Sequence, residues 1–197
     1  MQGIQDVVKF DFVKDELLEV LSYNLKHIDF VPVGNTYTYE CPLEVHCTYN
    51  TRQIMAAYGY FNEEKAPEFR EGVKYFDDRL TDVFLINLNK SEKDFSPSTM
   101  YEDYAINDEL FHWQTQSSLS GTSQTALRYI NHESMGSNIS LFVREYKKTG
   151  AHTSAYTFLG DAKYVEHHGN KPISFVWKLR HKIPANLLQK ANKSVAI

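Results

Sequence analysis

The chain has 197 residues, 42% hydrophobic and 14% aromatic, enough for one buried core with a short appendage. Its net charge of −4 hides an asymmetry: residues 1–100 carry 10 Lys/Arg against 17 Asp/Glu, whereas residues 101–197 carry 11 against 8 and hold six of the eight His. A second half at +3 can meet an anion but is far from a basic nucleic-acid arm, and the lack of a membrane-length apolar run, a leader pattern or a disulfide framework predicts a cytoplasmic protein with no membrane partner.

Taken in chain order, Val13, Leu17, Val20, Leu21 and Leu25 recur at helical spacing, which predicts a helix over 13–26. Pro32 and Gly34 mark a linker or short strand. CPLEVHCTY (41–49) alternates as a strand does, and Asn50 or Thr51 then caps a helix ending near Gly59. Residues 62–81 read as a polar loop with a short helix. From residue 82 the texture turns to strands. DVFLINLNK (82–90), ELFHWQTQ (109–116) and SNISLFVREYKK (137–148) are each read as a strand. A long polar connector (91–109) and a small-residue loop (117–126) lie between them, and LRYINH (127–132) is read as extended. Residues 155–181 form two or three strands with a turn at His168-Gly169-Asn170, and PANLLQKANK (184–193) is a closing helix. The expected class is α+β: a helical N-terminal extension, 1–39, and a domain, 40–197. The β-rich half of that domain, from about 82, is a strongly bent antiparallel sheet or β-barrel.

Three chemistries bear on these elements. Cys41, His46 and Cys47 fall within seven residues, but a structural zinc needs four ligands, no second Cys pair exists, and His167 and His168 would face opposite sides of a strand. No metal or cofactor is therefore expected. A Gly-x-Ser-x-Gly elbow and a phosphate-cradling glycine loop are both missing from the sequence. Glu145 and Lys147, two apart at a strand end, could hold a divalent ion and an attacking water if Asp103, Asp108 or Glu133 completed the set, as in restriction-type nucleases. The third chemistry is nucleic-acid readout. Tyr101, Trp113 and Tyr129 can stack on bases, and Gln114, Gln116 and Asn131 can pair with base edges. Arg128, His132, Arg144 and Lys147 can meet phosphate. The bland alternative is a buried Trp with amides capping an irregular loop. Trp113 and Gln114, adjacent on a strand, should face opposite sides, with Trp113 in the core and Gln114 and Gln116 on the reading face.

The runs FREGVKYFDDRLTDVFLINLNKSEKDFSPSTMYEDYAINDELFHWQTQSS, RYINHESMGSNISLFVREYKK and YTFLGDAKYVEHHGNKPISFVWKLRHKIP resemble a bacterial domain of unknown function. That domain stands at the C-terminus of superfamily 2 DEAD/DEAH-type helicases, many of which also carry a phospholipase-D-like nuclease domain. The resemblance covers about residues 40–187. It implies a DNA-recognition module of a helicase-linked restriction or DNA-defence system, reading a modified or flipped base, with DNA and a helicase or nuclease subunit as partners. The strand-rich half is similar in texture to PUA and SRA-like base readers, a likeness of fold alone. This chain departs from the usual setting in carrying no helicase motifs. Two alternatives stay open: a metal-dependent endonuclease, and a protein-interaction module docking a helicase or nuclease partner.

Overall fold

The computed structural model describes residues 9–27, 33–35, 37, 39–60, 69, 71–89 and 103–192. The chain divides into two units, 1–31 and 32–197. The first contains helix α1 (Asp11–Lys26), opened by Asp11 and closed by Lys26 in keeping with the helix dipole. None of its residues is buried, and Leu17, Leu18, Val20, Leu21 and Leu25 are exposed.

In the second unit, β1 (Val33–Gly34) pairs antiparallel with β2 (Glu44–Val45). His46, at φ 72°, turns the chain into β3 (Thr48–Tyr49), so the alternating run 41–49 is two short strands rather than one. Asn50 caps α2 (Thr51–Ala57) in a full capping box: its side chain accepts from Gln53 N–H while Gln53 Oε1 accepts from Asn50 N–H. The main sheet then forms from β4 (Val73–Phe76), β5 (Thr81–Asn87), β6 (Tyr104–Ala105), β7 (Leu110–Gln114), β8 (Asn138–Arg144), β11 (Tyr156–His168) and β12 (Ser174–Leu179). Helix α3 (Gln124–Asn131) precedes β8. The small ribbon β9 (Lys148–Thr149) with β10 (His152–Thr153) follows it, and α4 (Ala185–Ala191) ends the described fold.

The sheet order is β4-β5-β8-β11-β12-β7-β6, with β3 joined to the start of β11. Two expectations are corrected here. The sheet is mixed, because β5 and β8 pair in parallel from Thr81↔Asn138 to Asn87↔Arg144. It is also open and is not closed into a barrel. Parallel pairing requires a crossover, and the chain between β5 and β8 supplies one carrying β6, β7 and α3. LRYINH is not extended either. Ser123 Oγ accepts from Ala126 N–H at 3.2 Å and starts α3, which places Ala126 and Tyr129 one turn apart against the core. The stretch read as a polar loop contains β4.

Both faces of the sheet are covered, so β5 and β8 read as almost unbroken apolar runs. On the inner face, Phe84, Trp113, Leu141, Phe175 and Trp177 pack under Ala126 and Tyr129 of α3; on the outer face, Val83, Leu85, Phe142 and Phe158 pack with Ile54 and Met55 of α2 and with Tyr58, which ends it. Thirteen-residue β11 pairs with β8 over its first half and with β12 over its second. Its register slips at Phe158/Gly160 and at Tyr164/Glu166. Bulges of this kind bend a strand and raise its twist. The bending is large enough that Phe84, near one end of the sheet, meets Trp113, near the other, with ring centroids 4.3 Å apart.

Gly160 at the first bulge has φ +87°, and a Cβ there would stand 3.2 Å from Val45 Cγ2 and 3.3 Å from His181 Cδ2. The left-handed backbone strains any side chain there, and the close contacts require Val45 or His181 to give way. Gly160→Ala is expected to lower stability by roughly 1–3 kcal/mol, read as a lower urea midpoint with an unchanged m-value.

Candidate ligand cleft

Because the sheet bends without closing, a seam remains between β4–β5 and β7, and α3 lies along it. A cleft of about 490 Å³ opens in this seam. Its walls are Val73 and Tyr75 of β4, Asp82 of β5, Trp113 of β7, Thr115 just past that strand, and Arg128 and Tyr129 of α3; Glu71, Gln116, Ser118, Leu119 and Thr125 rim it. This volume lies within the usual range for small-ligand pockets.

Asp82 is wholly buried, and Arg128 comes to it from α3. Nε donates to Oδ2 at 2.7 Å and Nη2 to Oδ1 at 2.8 Å, a bidentate pair. Tyr75 lies across one face of the guanidinium, 3.8 Å from its central carbon. Nη1 makes no hydrogen bond among the described residues, and the Arg128 side chain keeps 18% exposure beside the cleft. Burial pushes the Asp82 carboxyl above its ordinary value; the hydrogen bonds and charge of Arg128 oppose that shift without overcoming it. Hydrogen bonding to Asp82 holds Arg128 above its own ordinary value. A carboxyl raised by folding takes stability away as pH climbs through its folded value. The pair is therefore a poor staple, and the gain from having it is the fixed position of Arg128.

The rim is tied to the β11–β12 hairpin. Thr115 N–H donates to Ile173 O at 2.9 Å, Ile173 N–H donates to Thr115 Oγ1 at 3.0 Å, and Gly121 N–H donates to Asn170 Oδ1 at 3.1 Å. The small-residue loop is thus fastened at its start and its middle.

Of the residues expected from the sequence, Trp113, Gln116, Arg128 and Tyr129 meet at the cleft. Trp113 and Tyr129 are mostly core: both pack on Phe84 and Phe175, and each reaches the cleft with only a small exposed part of its ring. Burial also pushes the Tyr129 phenol well up. Gln114 faces away from Trp113, as alternation requires, and its Nε2 donates to Ser174 Oγ at 3.1 Å. Gln114 and Gln116 therefore do not share one reading face, since only Gln116 reaches the cleft.

The structure places the residues expected to meet phosphate as follows. His132 is buried: its Nδ1 donates to Ser137 O at 3.1 Å, and its Nε2 accepts from Tyr164 N–H at 3.1 Å. These partners occupy both ring nitrogens and leave none for a phosphate. Arg144 is buried too, donating to Asn87 Oδ1 and Ser154 O and lying over Tyr156. Arg128 is held by Asp82. Asn131 is exposed and folds back onto its own helix, donating to Leu127 O at 2.9 Å. Lys147 is half-buried beyond the end of β8. Tyr101 lies outside the described residues.

The Glu-x-Lys set is spread out. Glu145, also past β8, pairs with Lys190 at 3.7 Å, and Asp108, ahead of β7, pairs with Lys182 at 2.9 Å. Strands β11 and β12 lie between β8 and β7 in the sheet. Among the other acidic candidates, Glu133 pairs with Lys163 at 2.6 Å, and one Asp103 oxygen accepts from Gln114 N–H. Among the described residues no group of three His, Cys, Asp or Glu could hold a metal ion, and none of their helices is long and apolar enough to cross a membrane.

Sequence reasoning missed Tyr75, Asp82 and Thr115. One signal was present: Asp82 is the only charge in the apolar run TDVFLIN, and a charge in a doubly buried strand needs a partner.

A search of curated proteins finds no match to this chain. One family does match, over residues 43–191: "Domain of unknown function (DUF3427)". The matched span contains every residue of the cleft.

The pair gives a thermodynamic prediction. Arg128→Ala strands a buried carboxylate and should lose about 3–5 kcal/mol. The double variant Asp82→Leu/Arg128→Met removes both charges and should recover most of that loss. Urea melts of the four members of the cycle measure the coupling.

Proposed function

Because the chain belongs to this DUF3427 family, whose function is unknown, we propose its role from its own cleft: it is a DNA-recognition module that takes a nucleobase into the seam of the sheet. In this reading it works beside a helicase or nuclease subunit in a restriction or DNA-defence system, the setting its resemblance to helicase-linked domains implies. The observation that carries the reading is the convergence at the seam of aromatic walls with a positioned guanidinium and an exposed amide. A flipped base needs this combination of an apolar slot and a few polar groups on its edge. The Asp82–Arg128 pair has no net charge, so the cleft suits a neutral ring better than a phosphate. Backbone contacts then fall to the exposed cations of the hairpin beside the rim, Lys171 foremost.

One observation favours a second role alongside the first. Helix α1 keeps its apolar residues exposed, which suits a segment that docks a helicase or nuclease partner.

The test is a mobility-shift panel of unmodified and modified duplexes and single strands at two salt concentrations, with magnesium added in a parallel set. Binding should weaken steeply with salt, and no strand should be cut. Gln116→Ala should weaken binding by roughly tenfold, about one hydrogen bond, while shifting stability by less than about 0.5 kcal/mol. Gln114→Ala should leave binding unchanged. Failure to shift any DNA at low salt overturns the reading.

A further inference from the structure

A guanidinium has two bidentate edges. The side edge consists of Nε and Nη2, and the end edge of Nη1 and the second hydrogen of Nη2. In Arg128 the side edge is taken by Asp82, and Tyr75 covers one face. The end edge is left whole, with no hydrogen bond from Nη1 among the described residues, on a side chain that lines the cleft. Asp82 and Tyr75 also fix its direction, because a guanidinium held on one edge and one face cannot rotate about its own axis. Two parallel donors then await two adjacent acceptors.

Two ligand classes offer such acceptors: an anion, carboxylate or phosphate, and the O6/N7 edge of guanine. Asp82 decides between them. Its carboxylate, hydrogen-bonded to the same guanidinium, cancels the charge that would attract an anion and repels one directly. The walls decide in the same direction, since Tyr75, Trp113 and Tyr129 favour a flat neutral ring over a hydrated ion. We infer that the seam cleft selects guanine, read on its O6/N7 edge by the end-on fork of Arg128, with Gln116 at the rim. This rests on the nucleobase reading above and narrows it to one base.

The test uses the 197-residue chain and four probes: a DNA strand with guanine at one position, the same strand with 7-deazaguanine there, the same strand with adenine, and free guanosine, which has no phosphate. The 7-deaza base keeps O6 and replaces N7 by C–H, so it should bind about tenfold weaker than guanine, and adenine should bind weaker by at least as much. Arg128→Lys keeps a cation against Asp82 but has no fork, so it should bind guanine and 7-deazaguanine equally. An unchanged far-ultraviolet spectrum and urea midpoint would show that it folds. The outcomes separate the two claims. Guanine preference in the strand supports both. Binding of guanosine without binding of any strand supports the guanine edge and overturns the DNA role. Strand binding that ignores N7 overturns the guanine edge and leaves the DNA role standing. No binding of any probe overturns both.

Discussion

The contact between Phe84 and Trp113 is the constraint on which the rest of the architecture turns. The two rings come from opposite ends of one open sheet, so the sheet must bend until β5 and β7 nearly face each other. Two slips in the register of β11 supply the bend, and Gly160 makes the first of them sterically possible. Among the described residues, no strand pairing joins the two ends. Helix α3 fills the gap with Ala126 and Tyr129 and leaves a seam above them. The cleft is thus a direct product of a sheet that curls far and stops short of closure.

Within that seam, polarity is arranged at the expense of stability. A carboxylate at Asp82 sits on the inner face of a doubly buried strand, where Val83 and Leu85 point the other way into an apolar layer. Its partner lies on a helix, and burial outweighs the relief the partner brings. Structures retain such pairs where orientation matters more than stability, and here the oriented group is the guanidinium of Arg128. The same logic sorts the remaining polar residues. His132 and Arg144 are also hydrogen-bonded, but by groups that do not line the cleft, and this makes them parts of the scaffold.

Much of the β-structure was legible, for reasons that can be named. Residues 82–90, 109–116 and 137–148 carry β-branched and aromatic residues between clear breaks, and the Asn50 box announces α2. Three things were hidden. The run LRYINH has the aromatic and β-branched composition of a strand, yet Ser123 starts a helix one turn earlier, inside what reads as loop. β4 is short, half-buried and flanked by charged residues, so no alternation marks it. The parallel pairing of β5 with β8 leaves no trace, because strands buried on both faces have no polar side to compare. The cleft was legible by composition but not by membership. Trp113, Gln116, Arg128 and Tyr129 stood out as residue types, while the partner that organises them, Asp82, is far away in sequence and joins them only through the crossover.

The ties between the hairpin and the small-residue loop have a further consequence. Asn170 and Ile173 hold the backbone at Gly121 and Thr115, so the position of the cleft rim is inherited from the tip of β11 and β12 rather than set by the loop itself. The tip is the exposed, polar kind of turn at which chains usually accept added segments. In this fold it is a poor place to graft one, because a peptide inserted at 169–171 would pull on the rim of a cleft it never touches.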